Sequence, residues 1–152
     1  MTVQLDRQPA PNYLLLEKTQ MQTQSLSHSG MVWAGRVLSA LAILFLIFDG
    51  AIKVADLPIV TETMQQLGYP PHLSRALGIL TLVSTALYAI PRTSVLGAIL
   101  LTGLMGGAMA THLRVGSPIF SHLLFGLYLG LMLWGGLYLR DERVRAVIPL
   151  LR

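Results

Sequence analysis

Four apolar stretches, each close to twenty residues long, constrain this chain more than any other feature. They run over residues 32–55, 72–90, 94–111 and 119–139. A hydrocarbon core of about 30 Å takes about 17–25 helical residues to cross, and all four fit that window. Strands are not a serious rival, because no stretch alternates as a membrane barrel requires. The predicted fold class is all-α, an integral membrane four-helix bundle.

The charges agree with that layout. Eight of the eighteen charged residues fall between Met31 and Leu139, and the two short tails hold the other ten. Overall 53% of residues are hydrophobic and 12% charged, against about 25% charged in soluble domains. This excludes a soluble enzyme, a disordered chain and a nucleic-acid-binding domain. With no cysteine, the chain itself cannot form disulfides, ligate iron–sulfur clusters or use a thiol nucleophile.

Residues 1–30 read as a disordered tail rich in Gln, Ser and Thr. Residues 31–140 form the four-span domain, and residues 141–152 a basic C-terminal segment. The first long apolar run starts too far along the chain, and lacks the following small-residue site, to be a secretory signal. Between the first two spans, Ile59, Val60, Thr63, Met64 and Leu67 recur at helical spacing, with Glu62, Gln65 and Gln66 between them. That pattern predicts a short amphipathic helix at the membrane interface. Pro91 and Arg92 make a tight link between the second and third spans. Ser117 followed by Pro118 reads as the cap of the fourth.

Orientation follows from Lys and Arg. The side of both tails and the 2–3 link carries eight of them, counting Arg36 and Arg140 at the span ends, and the other side carries three. Both termini are therefore expected in the cytoplasm. Trp33, Tyr88, Trp134 and Tyr138 are expected at the inner interface, Tyr69 at the outer one. The Arg140–Arg145 run is expected to meet anionic lipid.

The third span is rich in small residues. Ala98, Thr102, Gly106 and Ala110 form one ridge, and Gly103, Gly107 and Thr111 form another beside it. Gly126 and Gly130 give the fourth span a similar strip. Small ridges let membrane helices approach closely. The expectation is packing within the bundle, with the third helix central. Homo-oligomerisation through such a strip is the alternative.

Polar residues collect near the outer ends of the spans. Asp49 and Lys53, four apart, share a helix face in the favourable order for an ion pair. His112 and Arg114 end the third span, and His122 lies one turn into the fourth. Asp49, Lys53, His112, Arg114 and His122 are the candidate ligand-binding cluster, since ionisable groups this close to hydrocarbon are costly. His72 and Arg75 read as interfacial. Ser84, Thr85 and Thr102 read as hydroxyls bonded within or between helices. No metal set and no catalytic set is evident.

Several stretches together resemble a known family. They are Phe48 to Lys53, Leu67-Gly68-Tyr69-Pro70, Leu77-Gly78-Ile79-Leu80, Ile90 to Gly103, Gly106-Gly107-Ala108, and Thr111 to Gly116. In order and at this spacing, they resemble the DoxX-like family of small bacterial four-helix membrane proteins, over residues 31–145. The resemblance implies a multi-pass protein of the bacterial plasma membrane, in a family whose activity is mostly unassigned. It marks Gly50, Lys53, His112 and Arg114, and it places Thr81 where many relatives carry Glu. The family name also implies a link to quinones and redox complexes.

The reading that follows is a non-catalytic membrane subunit, or a module binding a lipid or quinone. It brings no cofactor of its own, has membrane lipids as partners, and leaves room for a membrane or redox protein partner. The alternatives are a quinone-linked oxidoreductase subunit working with a redox partner, and a small oligomeric transporter or channel.

Overall fold

A computed structural model describes residues 11–148. Helix α1 spans Pro11–Val54, α2 Pro58–Gln66, α3 Leu73–Ala89, α4 Ser94–Arg114, α5 Phe125–Arg140 and α6 Glu142–Val147. A π-turn over Ile119–Leu123 leads into α5. Among the described residues there is no strand. Three helical segments among these residues are long and apolar enough to cross a membrane: Ser29–Val54, Ser94–Arg114 and Ile119–Arg140. Helix α3 is apolar too, but has 17 residues, about 25 Å at 1.5 Å per residue.

Local chemistry sets the helix ends. After α1, Asp56 takes φ 55°, a left-handed conformation that Asp tolerates better than most residues. Leu57 is extended, as a residue before proline prefers, and Pro58 opens α2. Gly68 (φ 74°) and Gly116 (φ 68°) terminate α2 and α4. At each, two backbone bonds close over the end: Tyr69 N–H to Met64 O (2.8 Å) with Gly68 N–H to Gln65 O (2.9 Å), and Ser117 N–H to His112 O (3.0 Å) with Gly116 N–H to Leu113 O (3.2 Å). Glycine reaches this left-handed stop without a Cβ penalty.

Helix α1 packs along α3 and α5, and α4 packs along the same two. The core between them holds Leu46, Tyr88, Ala98, Leu101, Leu133 and Leu137. Large apolar side chains such as Leu44, Ile47, Val83, Ile99 and Leu131 point outward, as they would toward lipid. α1 closes on both neighbours through glycine. A Cβ on Gly35 would lie 2.8 Å from Gly136 O in α5, and one on Gly78 would lie 2.8 Å from Gly50 O in α1.

The structure departs from the sequence expectations in four places. First, α1 begins at Pro11, whereas composition predicts an irregular tail to residue 30; residues 1–10 lie outside the described part. Leu14–Glu17 and the following Lys and Gln residues are good helix formers, and they continue a span already nucleated in the core. Second, the close glycine contacts lie on α1, against α3 and α5, and at Gly97 of α4, and not along the α4 ridges expected to pack. A Cβ on Gly103, Gly106, Gly107 or Gly130 would meet nothing within 4 Å, and Ala110 is exposed. Ala98 is buried, Gly126 sits against Met109, and Thr102 accepts from Trp134 Nε1 at 2.9 Å.

Third, Tyr88, expected as an interface aromatic, turns its side chain into the core. It is fully buried, its hydroxyl donates to Leu133 O at 2.7 Å, and it lies 3.0 Å from Ser39 Oγ. The Arg140 guanidinium stands 5.0 Å over its ring. Fourth, the Ser117 hydroxyl does not cap the next helix. It lies 3.0 Å from His112 Nδ1 instead, and the π-turn supplies the start. Beyond α5, Asp141 caps α6 by accepting from Arg143 N–H at 2.9 Å. Arg145 turns inward to Leu139 O at 3.2 Å; residues 149–152 lie outside the described part.

Candidate functional site

At the end of the molecule that carries α2, the helices do not close. A cavity of about 700 Å³ lies there. Helix α1 contributes Asp49, Ile52 and Lys53. Helix α2 and the loop after it add Val60, Met64 and Tyr69. Helix α3 adds Leu77, Leu80, Thr81 and Ser84, and α4 adds Leu100, Gly103, Leu104, Gly107, Thr111 and His112. On α4 these positions recur at three- and four-residue intervals, so one face of that helix is a cavity wall. Most of the lining is apolar, with a few polar groups gathered on one side, which is the usual make-up of a small-molecule site.

The polar rim is built from pairs. Lys53 Nζ donates to Asp49 Oδ2 at 2.6 Å, with both side chains about a quarter exposed. That geometry follows from their spacing of four on one helix. Tyr69 and Thr111 hydroxyls meet at 2.9 Å, and Thr111 also donates to Gly107 O at 2.9 Å. The His112 and His122 rings lie 5.3 Å apart between centroids, with His122 Nδ1 2.7 Å from Ser121 Oγ. Among the described residues no group of three or more His, Cys, Asp or Glu is placed to hold a metal.

Helix α2 is strapped across this end. At its start, Asp56 accepts from Ser74 Oγ at 2.9 Å and from Thr61 Oγ1 at 3.4 Å, and pairs with Arg75 at 3.7 Å. At its finish, the Arg114 guanidinium donates to Leu67 O, and Tyr69 bonds Thr111. Val60 and Met64 are the buried residues of α2. The helix thus lies over the cavity with its apolar side inward.

Of the expected cluster, Asp49, Lys53 and His112 line the cavity. Arg114 and His122 do not: Arg114 fastens α2, and His122 stands behind His112. Four contributors lie outside that cluster. Asp56 has no sequence signal beyond an acid near a helix end. Tyr69 reads as an interface aromatic, Thr111 as part of a small ridge, and Ser84 as a hydroxyl bonded within or between helices. Gly103 and Gly107 stand out in the sequence, but for helix packing and not for a cavity.

The family model for the DoxX-like family matches residues 37–136. The chain belongs to the DoxX-like family. No curated protein and no solved structure matches it. Family membership and three spanning-length helices make this DoxX-like chain a membrane protein. Thr81, where the resemblance expects Glu, lines the cavity with its hydroxyl donated to Leu77 O at 2.9 Å. This DoxX-like cavity therefore has no acid on its α3 wall.

Proposed function

We propose that this DoxX-like protein is a non-catalytic membrane module that holds a lipid-like molecule, a quinone among them, in the cavity under α2. One observation carries the reading: an apolar cavity of about 700 Å³ whose polar groups lie mostly toward one end. An amphiphile matches that asymmetry, with its polar part at the Asp49–Lys53 pair, Tyr69 and His112, and its apolar part among the leucines of α3 and α4. The volume falls in the range of about 300–1,000 Å³ typical of such sites. In this reading α1, α3, α4 and α5 are a four-helix bundle in the bacterial plasma membrane. Helix α3 spans with help from its flanking turns, α2 lies in the outer interface, and both termini face the cytoplasm, as the positive-inside rule supports.

The test is a census of bound lipid. The protein is purified in native membrane discs, and its extracted lipids and quinones are compared with bulk membrane by mass spectrometry. Enrichment of one class, lost in Lys53→Ala, is the expected result. A disc composition equal to bulk membrane would sink the reading and leave a structural or partner-binding subunit.

A further inference from the structure

Mid-helix serine and threonine hydroxyls usually bond back to the carbonyl four residues earlier. Helix α3 does this at two of its three buried central positions. Thr81 donates to Leu77 O at 2.9 Å, and Thr85 to Thr81 O at 2.7 Å. Ser84, between them, does not. It is fully buried, it lines the cavity, and its Oγ has no hydrogen-bond partner. Buried hydroxyls without partners are uncommon and call for an explanation.

Depth narrows that explanation. Gly97 of α4 abuts Tyr88 of α3, so in this antiparallel pair Ser84 lies one turn away, level with Leu101. It is roughly 15 Å along the helices from Thr111 at the rim, at 1.5 Å per residue. The charged residues of the lining, Asp49 and Lys53, lie between Ser84 and the rim, beside the Gly50–Gly78 contact of α1 and α3. Around the level of Ser84 the wall is made by Leu80, Thr81, Leu100, Gly103 and Leu104. Opposite, Gly103 and Gly107 present bare backbone to the cavity, and a Cβ added at either would meet nothing within 4 Å.

We propose that Ser84 is the inner polar contact of the cavity and bonds an uncharged oxygen, ketone or hydroxyl, at the buried end of an apolar ligand, with Gly103 and Gly107 leaving the room it occupies. This rests on the binding reading above and adds what the ligand carries at its far end. The Ser84 hydroxyl can donate to a ketone or accept from an alcohol.

The experiment uses the full chain in native discs, with benzophenone as an aryl-ketone photolabel and diphenylmethane as an oxygen-free competitor. Expected is saturable labelling of the α2–α4 peptides. Ser84→Ala should weaken benzophenone about fivefold, the scale of one neutral hydrogen bond, leave diphenylmethane competition unchanged, and leave Tm unchanged or higher. Gly107→Leu should abolish labelling by filling the cavity. Gly106→Leu, on an open face outside it, should not. Saturable labelling indifferent to Ser84→Ala overturns the Ser84 contact while the binding reading stands. Labelling indifferent to Gly107→Leu overturns the role given to the glycines. No saturable labelling of the wild-type protein overturns both readings.

Discussion

Helices α3 and α4 run side by side, yet their two ends are built in opposite ways. At one end Gly97 presses on Tyr88 so closely that a Cβ would overlap the Tyr88 backbone nitrogen. Ser39, Tyr88 and Leu133 O share hydrogen bonds there, and Leu46, Leu101 and Leu137 fill the remaining space. At the other end Gly103 and Gly107 touch nothing, and a cavity takes the place of a core. The same residue type serves contact in one half of α4 and open space in the other. Composition cannot separate these uses. What separates them is whether a partner backbone lies opposite.

Substitutions that add volume should break this contrast in graded fashion. The largest effect is expected at Gly97. Gly97→Ala forces backbone apart at the hairpin and should cost about 3 kcal/mol or more, at the upper end of overpacking penalties, read as thermal unfolding in detergent. Gly78→Leu should come next, at about 2 kcal/mol, since its side chain would meet Gly50 O, Lys53 Cβ and Val54 Cγ2, all within 3 Å. Smaller again is Tyr88→Phe, which removes a buried hydroxyl from Ser39 and Leu133 O and should cost about 1 kcal/mol. At the bottom is Gly106→Ala. With no neighbour to displace, it should change stability by less than about 0.5 kcal/mol or raise it slightly through helix propensity. A large loss at Gly106 would mean that α4 packs there after all, and the contrast would fail.

Much of the fold is legible in the sequence because apolar length and helix punctuation are local properties. The four apolar stretches, the helix between the first two, and the Pro91 turn follow from residue order alone. The start of α1 is less legible, because a Gln- and Ser-rich segment continues a helix when a stable span lies next to it. Asp49 and Lys53 can be paired from spacing, since four residues on a helix fixes their separation. Arg114 cannot be placed that way: its partner, Leu67 O, is a backbone atom 47 residues away. Nor can Ser84 be told from Thr85. One residue apart on the same helix, they differ in what α4 sets against them, and only the fold determines that.

The Gly97–Tyr88 contact also bears on how anything could enter. Thr93 Oγ1 donates to Leu87 O at 2.8 Å across the same corner, so the two walls of the cavity are riveted where they join. Their other ends are free of each other's backbone. Those tips are linked by the Tyr69–Thr111 hydroxyl pair and by the Arg114 bond to Leu67 O. The α3–α4 wall of the cavity is therefore fixed at its closed end by a covalent turn and backbone contact, and at its open end only by side chains.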